Sequence, residues 1–231
     1  MLIIELYHYW GLKNRPPYPI LSFFICYSAK QPLSSCNQIN FNTHLFMEIV
    51  QATLEDFDGI VALLKRYHVD YISPEDKVNG FVTTNLTTEQ LTRLIVEEKG
   101  VTIAKENGRV YAFALAASWE YWAEWPLFAY MIEHLEEYEL DGVKLTRTNS
   151  YQYGPICVDT EVRGTGVFEK VFYASLASMR ERYPIMATFI NKINPRSYAA
   201  HTRKVHTTEA GTFQFNNNNY FLMSCSTSMQ P

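Results

Sequence analysis

Between Tyr153 and Phe168 the sequence runs YGPICVDTEVRGTGVF: an apolar stretch, a polar turn, then two glycines ahead of a long apolar-striped segment. That order reads as strand, glycine-rich loop and helix. Consecutive backbone N–H groups in such a loop, added to those at a helix N-terminus, make a cradle for a phosphate-like anion. Gly164 and Gly166 permit positive φ and a close approach of backbone to ligand. A Walker-type loop would need a Lys followed by Ser or Thr, which is absent. A dinucleotide fingerprint would need a third glycine at position 169, where Glu stands. Gly-x-Gly before a helix is also a common tight turn, so the loop gains meaning only from its surroundings.

Those surroundings can be read from position 47 onward. Residues 48–52 read as a short strand, and Thr53 as a cap for a helix over 54–68 with Phe57, Ile60, Val61, Leu64 and Tyr67 on one face. Residues 69–87 are loop-like. Thr87 and Gln90 form a capping box that opens a helix to about Lys99, stopped by Gly100. Strands are expected over 101–105 and 109–118, around the hairpin signal Asn107-Gly108. The cluster Trp119-Glu-Tyr-Trp-Ala-Glu-Trp125 comes next, then an amphipathic helix over 126–139 ended by Asp141-Gly142. A strand over 151–158 leads into the loop and a helix over 164–182. A strand over 185–190 precedes Asn194-Pro195, an N-cap with Pro at the first helical position, and a helix to Lys204. Residues 213–215 and 220–224 suggest a closing hairpin.

The succession strand, two helices, three strands, loop-helix, strand, helix, two strands is similar to that of the GNAT N-acetyltransferases. Arg163-Gly164-Thr165-Gly166-Val167 resembles their pyrophosphate loop, Arg/Gln-x-x-Gly-x-Gly/Ala, with Phe168 in place of the final small residue. The resemblance covers nearly all of 47–231, and the insertion 119–149 is longer than the family norm. It implies an α/β (α+β) fold, a central mixed and mostly antiparallel sheet flanked by helices. A second match lies in Asn194-Pro-Arg-Ser197-Tyr198-Ala-Ala-His201, similar to the Asn-x-x-Ser/Ala segment of the family. There Asn194 matches the residue that contacts the pantetheine arm, and His201 stands where the family carries a Tyr that protonates the leaving thiolate.

The resemblance implies acetyl-CoA as cosubstrate, no metal, and direct attack of an amine on the thioester. The expected cofactor-binding residues are Ile156, Cys157, Val158, Arg163, Gly164, Thr165, Gly166, Val167, Phe168, Asn194 and Ser197. A backbone N–H at Val158 or a neighbour would stabilise the oxyanion. A thiolate resembling that of Cys, with a pKa of about 8.5, needs only modest acid help. His201, with an ordinary pKa of about 6.5, is the expected acid and Tyr198 its substitute; a packing histidine is the equal alternative. Glu120, Glu124 and Tyr151 are candidate bases, Glu120 foremost. Cys157 has no recognisable partnering base and reads as a buried filler. For the acceptor amine, Tyr71, Asp76 and Phe81 in the 69–87 loop are expected contacts. Trp119 and Trp122 could hold an ammonium by cation–π attraction, or form a packing or self-association patch.

Composition bounds the rest. Hydrophobic residues make up 47% of the 231 and charged residues 19%, enough to bury a core. A formal net charge of −4 without a basic block argues against nucleic acid as partner. No apolar run reaches a membrane span, and the 4 cysteines show no metal or CxxC spacing, which fits a reduced cytoplasmic setting. The expected partner is a small-molecule or peptide amine, with a homodimer compatible with the apolar stripe Phe128–Leu135. Residues 1–46, with Pro16, Pro17, Pro19 and Pro32 and no sustained period, read as an extension outside the catalytic domain 47–231. Two other functions share this reading: a module that binds acyl-CoA without catalysis, and an interaction protein built on the Trp-rich insert.

Overall fold

The computed structural model describes residues 47–231, so the N-terminal extension lies outside the described residues. The chain opens with β1 (Glu48–Gln51) and crosses to α1 (Phe57–Arg66), entered through a short 3-10 turn whose Asp56 closes a capping box on Thr53. The capping box expected at Thr87 and Gln90 is formed and starts α2 (Thr88–Val96). Strands β2 (Val101–Glu106) and β3 (Arg109–Ala117) turn at Asn107 and Gly108, both at positive φ, as a two-residue hairpin requires. The Trp-rich segment forms one turn, α3 (Trp119–Trp122), and leads to α4 (Pro126–His134).

Asp141-Gly142 does not end that helix, which stops at His134 and passes through a 3-10 turn, Leu135–Glu137. Asp141-Gly142 is the turn of a small hairpin, β4 (Glu139–Leu140) with β5 (Val143–Lys144). The anticipated loop 69–87 likewise contains a 3-10 turn, Asp76–Asn79, and a bridge between His68 and Val82. Next come β6 (Ser150–Val158), α5 (Val167–Met179), β7 (Ile185–Asn191) and α6 (Pro195–Lys204). The closing hairpin β8 (Thr208–Phe215) and β9 (Asn218–Ser226) is longer than its apolar residues alone suggested.

Seven strands form one sheet in the order β1-β2-β3-β6-β7-β9-β8, antiparallel everywhere except between β6 and β7. On one face, Ile60 and Leu63 of α1, Leu91 and Leu94 of α2, and Trp119 and Trp122 of α3 pack over Ile103, Phe113 and Leu115. On the other face α5 lays Val171, Phe172, Leu176 and Met179 over Ala104, Ala112, Ala114 and Ala116, all four alanines inaccessible to solvent. A row of alanines lets the helix sit close to the strands. Each large apolar side chain buried there contributes roughly 1.5–3 kcal/mol. No described helix is long and apolar enough to cross a membrane.

Two irregularities in β6 open the middle of the sheet. Ala114 pairs with Ile156 and Ala116 with Tyr153, so Gly154 and Pro155 together face Leu115 in a bulge. A bulge bends its strand and redirects the side chains beyond it. β6 also pairs with β7 only over Ser150–Gln152 against Ile185–Ala187. Beyond that point β6 stays on β3 as far as Val158, and β7 stays on β9 as far as Asn191, so the two central strands part and leave a split in the sheet.

Candidate active site

The split leaves one edge of β6 without a strand partner. Asp159 N–H donates to Tyr111 C=O at 2.8 Å, which fixes the alternation of the antiparallel ladder. By that alternation the N–H groups of Val158 and Ile156 turn away from β3, toward the split. Arg163 caps part of this edge, its Nε donating to Val158 C=O at 2.9 Å and its Nη1 to Asn79 C=O at 2.9 Å. Its guanidinium also lies 5.2 Å from the centre of the Tyr67 ring.

The glycine-rich loop comes directly after. Gly164 and Gly166 have φ of 83° and 84°, and no atom would lie within 4 Å of a Cβ at either position. Glycine is therefore required by the backbone turn and not by crowding. Among the described residues no protein acceptor meets the N–H groups of Gly164, Gly166, Val167, Phe168 or Glu169; those of Arg163 and Thr165 reach the carbonyls of Thr160 and Val162 only at 3.4 Å. Gly164 and Thr165 are exposed. Unpaired amides at a helix N-terminus suit an anionic ligand.

Asp159, a residue the sequence pattern did not single out, holds this loop in place. It is 1% exposed and accepts from Arg66 Nη1 at 2.6 Å, Arg109 Nη2 at 3.2 Å, Tyr67 Oη at 3.2 Å and Glu161 N–H at 3.1 Å. Burial opposes its charge, but the Glu161 amide, the Tyr67 hydroxyl and the two guanidinium groups outweigh that and hold its carboxyl below the usual carboxylate range. The signal for it was an Asp one residue after a strand and at the N-cap of the turn Thr160–Val162.

Two clefts meet at the split. The first, about 390 Å³, runs from the loop along β6 to α6 and is lined by Ile156, Cys157, Val158, Arg163, Gly164, Phe168, Asn194 and Ser197 among the expected cofactor residues. Arg196, Arg203 and Lys204 also line it, with Lys204 Nζ 3.1 Å from Glu169 Oε1. Thr165, Gly166 and Val167 do not line it. Thr165 Oγ1 donates to Val162 C=O at 2.7 Å and the Val167 side chain is in the core, so neither side chain faces the cleft. Asn194 caps α6, its Oδ1 accepting from Ser197 N–H at 3.1 Å, which leaves Nδ2 as its donor to a ligand. Phe168 does not close the cleft; its ring packs edge-on against His201 at 5.3 Å.

The second cleft, about 640 Å³, opens on the other side of the split, between α4, the loop before α2 and β7. Phe81, Ile156, Asn194, Ser197 and His201 line both clefts, so the two communicate at these residues. His201 is 3% exposed, and burial pushes its pKa down to about 4. Its Nδ1 lies 2.8 Å from the Ser197 carbonyl oxygen, which carries no hydrogen, so the ring hydrogen sits on Nδ1 and Nε2 is a bare acceptor with no partner among the described residues. A neutral imidazole in that tautomer has no proton to release into the site. The acid role expected for His201 does not fit this geometry, although its location does.

Other expected residues fall elsewhere. Tyr198 Oη donates to Glu209 Oε2 at 3.0 Å, the ring stacks near Phe221 at 4.4 Å, and the residue lines neither cleft. Glu120 is exposed on α3 and Tyr71 is 66% exposed; neither borders a cleft. Trp119 is fully buried, its Nε1 donating to Ser150 Oγ at 3.0 Å. Trp122 is also fully buried and stacks at 4.8 Å on Phe128, which lines the second cleft, so it backs the wall without facing a ligand. Their hydrophobic area decided their place over any cation–π role. Glu124, a second base candidate, is exposed and pairs with Arg93 at 3.3 Å. Tyr151 is wholly buried in the core beneath α5. Cys157 is buried with its thiol pushed up to about 12 by desolvation, hence a filler rather than a nucleophile. Gln152, a lone polar residue inside an apolar strand, was missed. It is buried, lines the second cleft, and leaves its Oε1 unpartnered while Nε2 donates to Tyr153 C=O at 2.6 Å. Among the described residues no group of three His, Cys, Asp or Glu could hold a metal.

No family model matches the sequence, and no curated protein matches it significantly. Solved structures do match its fold. An agmatine N-acetyltransferase superposes with a TM-score of 0.55 at 12% identity, covering 78% of this chain and 99% of that one. A putative acetyltransferase from Salmonella typhimurium, solved with acetyl-CoA, gives 0.52 at 16% identity over 80% and 95%. A GNAT-family acetyltransferase from Streptococcus pneumoniae gives 0.52 at 12% identity over 78% and 98%. At these identities the likeness speaks for architecture. The seven-stranded sheet split between β6 and β7, with a glycine loop at the head of α5, has the fold of the GNAT acyl-CoA N-acyltransferases.

Proposed function

We propose that this chain is an acyl-CoA-dependent N-acyltransferase that moves an acetyl group from acetyl-CoA to a primary amine. The observation that carries the reading is the split between β6 and β7, flanked by a cleft that starts at unpaired loop amides and a second cleft on its far side. The donor fits the first cleft by its chemistry. A diphosphate is matched by the amides of Gly164, Gly166, Val167 and Phe168 and by the cations Arg196, Arg203 and Lys204. The pantetheine arm lies along the open edge of β6, met by the Ile156 backbone and by Asn194 Nδ2.

At the split the amine nitrogen attacks the thioester carbonyl carbon. The new C–N bond forms, the C–S bond breaks, and the amine's surplus proton passes to water. Ile156 N–H, aimed into the split, donates to the carbonyl oxygen as charge builds on it. Because His201 Nδ1 already donates to the Ser197 carbonyl, the Ser197 hydroxyl hydrogen is not needed there, and Ser197 Oγ donates a hydrogen bond to the departing sulfur. His201 holds Ser197 and α6 in place and offers Nε2 as an acceptor.

A thiol-release assay with acetyl-CoA and a panel of amines tests the reading. Amine-dependent release above the hydrolysis background is expected; its absence with every amine tried, at saturating acetyl-CoA, counts against catalysis. The bare Nε2 of His201 favours one other function, a module that binds acyl-CoA without turning it over. Tight CoA binding by calorimetry without turnover is its signature.

A further inference from the structure

If the transferase reading holds, the second cleft receives the acceptor, and its walls select among amines. Phe81, Phe128, Phe189 and Tyr220 line it, with Phe189 5.1 Å from Phe128 and 6.0 Å from Tyr220 between ring centres. Phe189 meets Phe128 tilted and Tyr220 edge-on, so these three rings make a continuous apolar wall that suits another aromatic ring. Among the described residues no carboxylate lines this cleft; its ionisable side chains with basic groups are Lys77 and the neutral His201. A second ammonium on the ligand would lose its water, find no counter-ion and face Lys77. Gln152, the last residue of β6 paired with β7, lines this cleft; it is 3% exposed, its Oε1 without a partner among the described residues. A Cβ on Gly154 would lie 3.4 Å from Thr188 Oγ1 and 3.7 Å from Gln152 Nε2, so these groups converge where the strands part.

We propose that the acceptor is a primary amine on an uncharged aromatic tail, and that Gln152 Oε1 accepts one N–H of the attacking nitrogen. This deepens the transferase reading and rests on it. A neutral carboxamide orients the amine without stabilising its protonated form, which cannot attack; a carboxylate there would hold it charged.

Calorimetry first establishes acetyl-CoA binding by the wild-type chain, and thiol release then gives kcat/KM for phenethylamine, tyramine, hexylamine, agmatine and spermidine. The aromatic amines are expected to exceed agmatine and spermidine by at least ~100-fold, the order of discrimination an unpaired desolvated charge imposes, and hexylamine by about tenfold. Agmatine or spermidine equal to or better than tyramine overturns the proposal while leaving the transferase reading intact. Failure of acetyl-CoA to bind, or of every amine to release thiol, removes the transferase reading itself. Gln152→Glu is expected to shift the tyramine-to-agmatine ratio by at least ~10-fold toward agmatine and to move the tyramine pH profile alkaline. Leu127→Glu, at a half-buried wall position, makes the same shift in selectivity should Gln152→Glu not fold. Unchanged selectivity in a folded variant contradicts the assignment of this cleft.

Discussion

The first cleft is walled by backbone and fixed charge: loop amides without acceptors, the open edge of β6, and Arg196, Arg203 and Lys204. The second is walled by side chains: Phe81, Phe128, Phe189 and Tyr220 around Gln152. The two also differ in what supports them. Asp159, buried beneath Arg66, Arg109 and Tyr67, pins the loop of the first cleft. Packing from Trp122 behind Phe128 supports the second. A backbone-built site tolerates many side chains as long as the turn survives, whereas a site built from side chains sets selectivity residue by residue. Under the proposed function, binding of the donor and choice of the acceptor are thus separable.

The sharpest way to break that division is at the loop. Replacing both Gly164 and Gly166 by Val imposes left-handed φ on branched residues, at about 1–2 kcal/mol each. Donor affinity, read by calorimetry, is expected to fall by more than ~100-fold as the turn reshapes its amides, with amine selectivity unchanged. A donor affinity within threefold of wild type would show that the amides are not the anion site.

Next in size is the pH dependence of folding. His201 titrates at about 4 in the folded chain against 6.5 when unfolded. Between those values the unfolded state binds the proton and the folded state does not, so stability falls as pH drops through this window and is fully present above pH 6.5. The difference corresponds to about 3 kcal/mol at pH 4. Thermal unfolding of wild type against His201→Gln, recorded from pH 7 to 4, is expected to show a fall attenuated in the variant. Parallel curves would mean that the imidazole is not buried neutral, and would restore it as an acid.

Smaller again, Asp159→Asn is expected to cost about 2 kcal/mol, because charge-assisted hydrogen bonds from two arginines and an amide weaken together. It is expected to weaken donor binding while leaving acceptor selectivity alone. Smallest of all, Tyr198→Phe and Glu120→Ala should change kcat less than twofold, since neither side chain borders a cleft. A tenfold loss from Tyr198→Phe would relocate the acid to that hydroxyl.

The division also explains what the sequence made legible. Gly164, Gly166 and Asn194 announce themselves because a turn at positive φ and a helix cap are local demands, met by few residue types. The order of strands and helices came from periodicity and from punctuation such as Asn107-Gly108 and Asn194-Pro195. The wall of the second cleft was not legible, because Phe128, Phe189 and Tyr220 come from three distant elements and look individually like core. Trp119 and Trp122 drew notice as a cluster, yet their burial serves packing. Spacing singled out His201, which lines both clefts, but its protonation depends on burial and on the Ser197 carbonyl, which no one-dimensional pattern carries. Asp159 needed three side-chain partners, two of them at the end of α1 and one at the start of β3, before its role could be seen.

The most direct measurement is of the loop amides themselves. With 15N-labelled protein, titration with CoA is expected to shift the N–H signals of Gly164, Gly166, Val167 and Phe168 and to slow their hydrogen exchange, ahead of any other group of amides. If CoA binds and leaves those four unmoved, or does not bind at all, the phosphate cradle is not there and the acyl-transfer account fails with it.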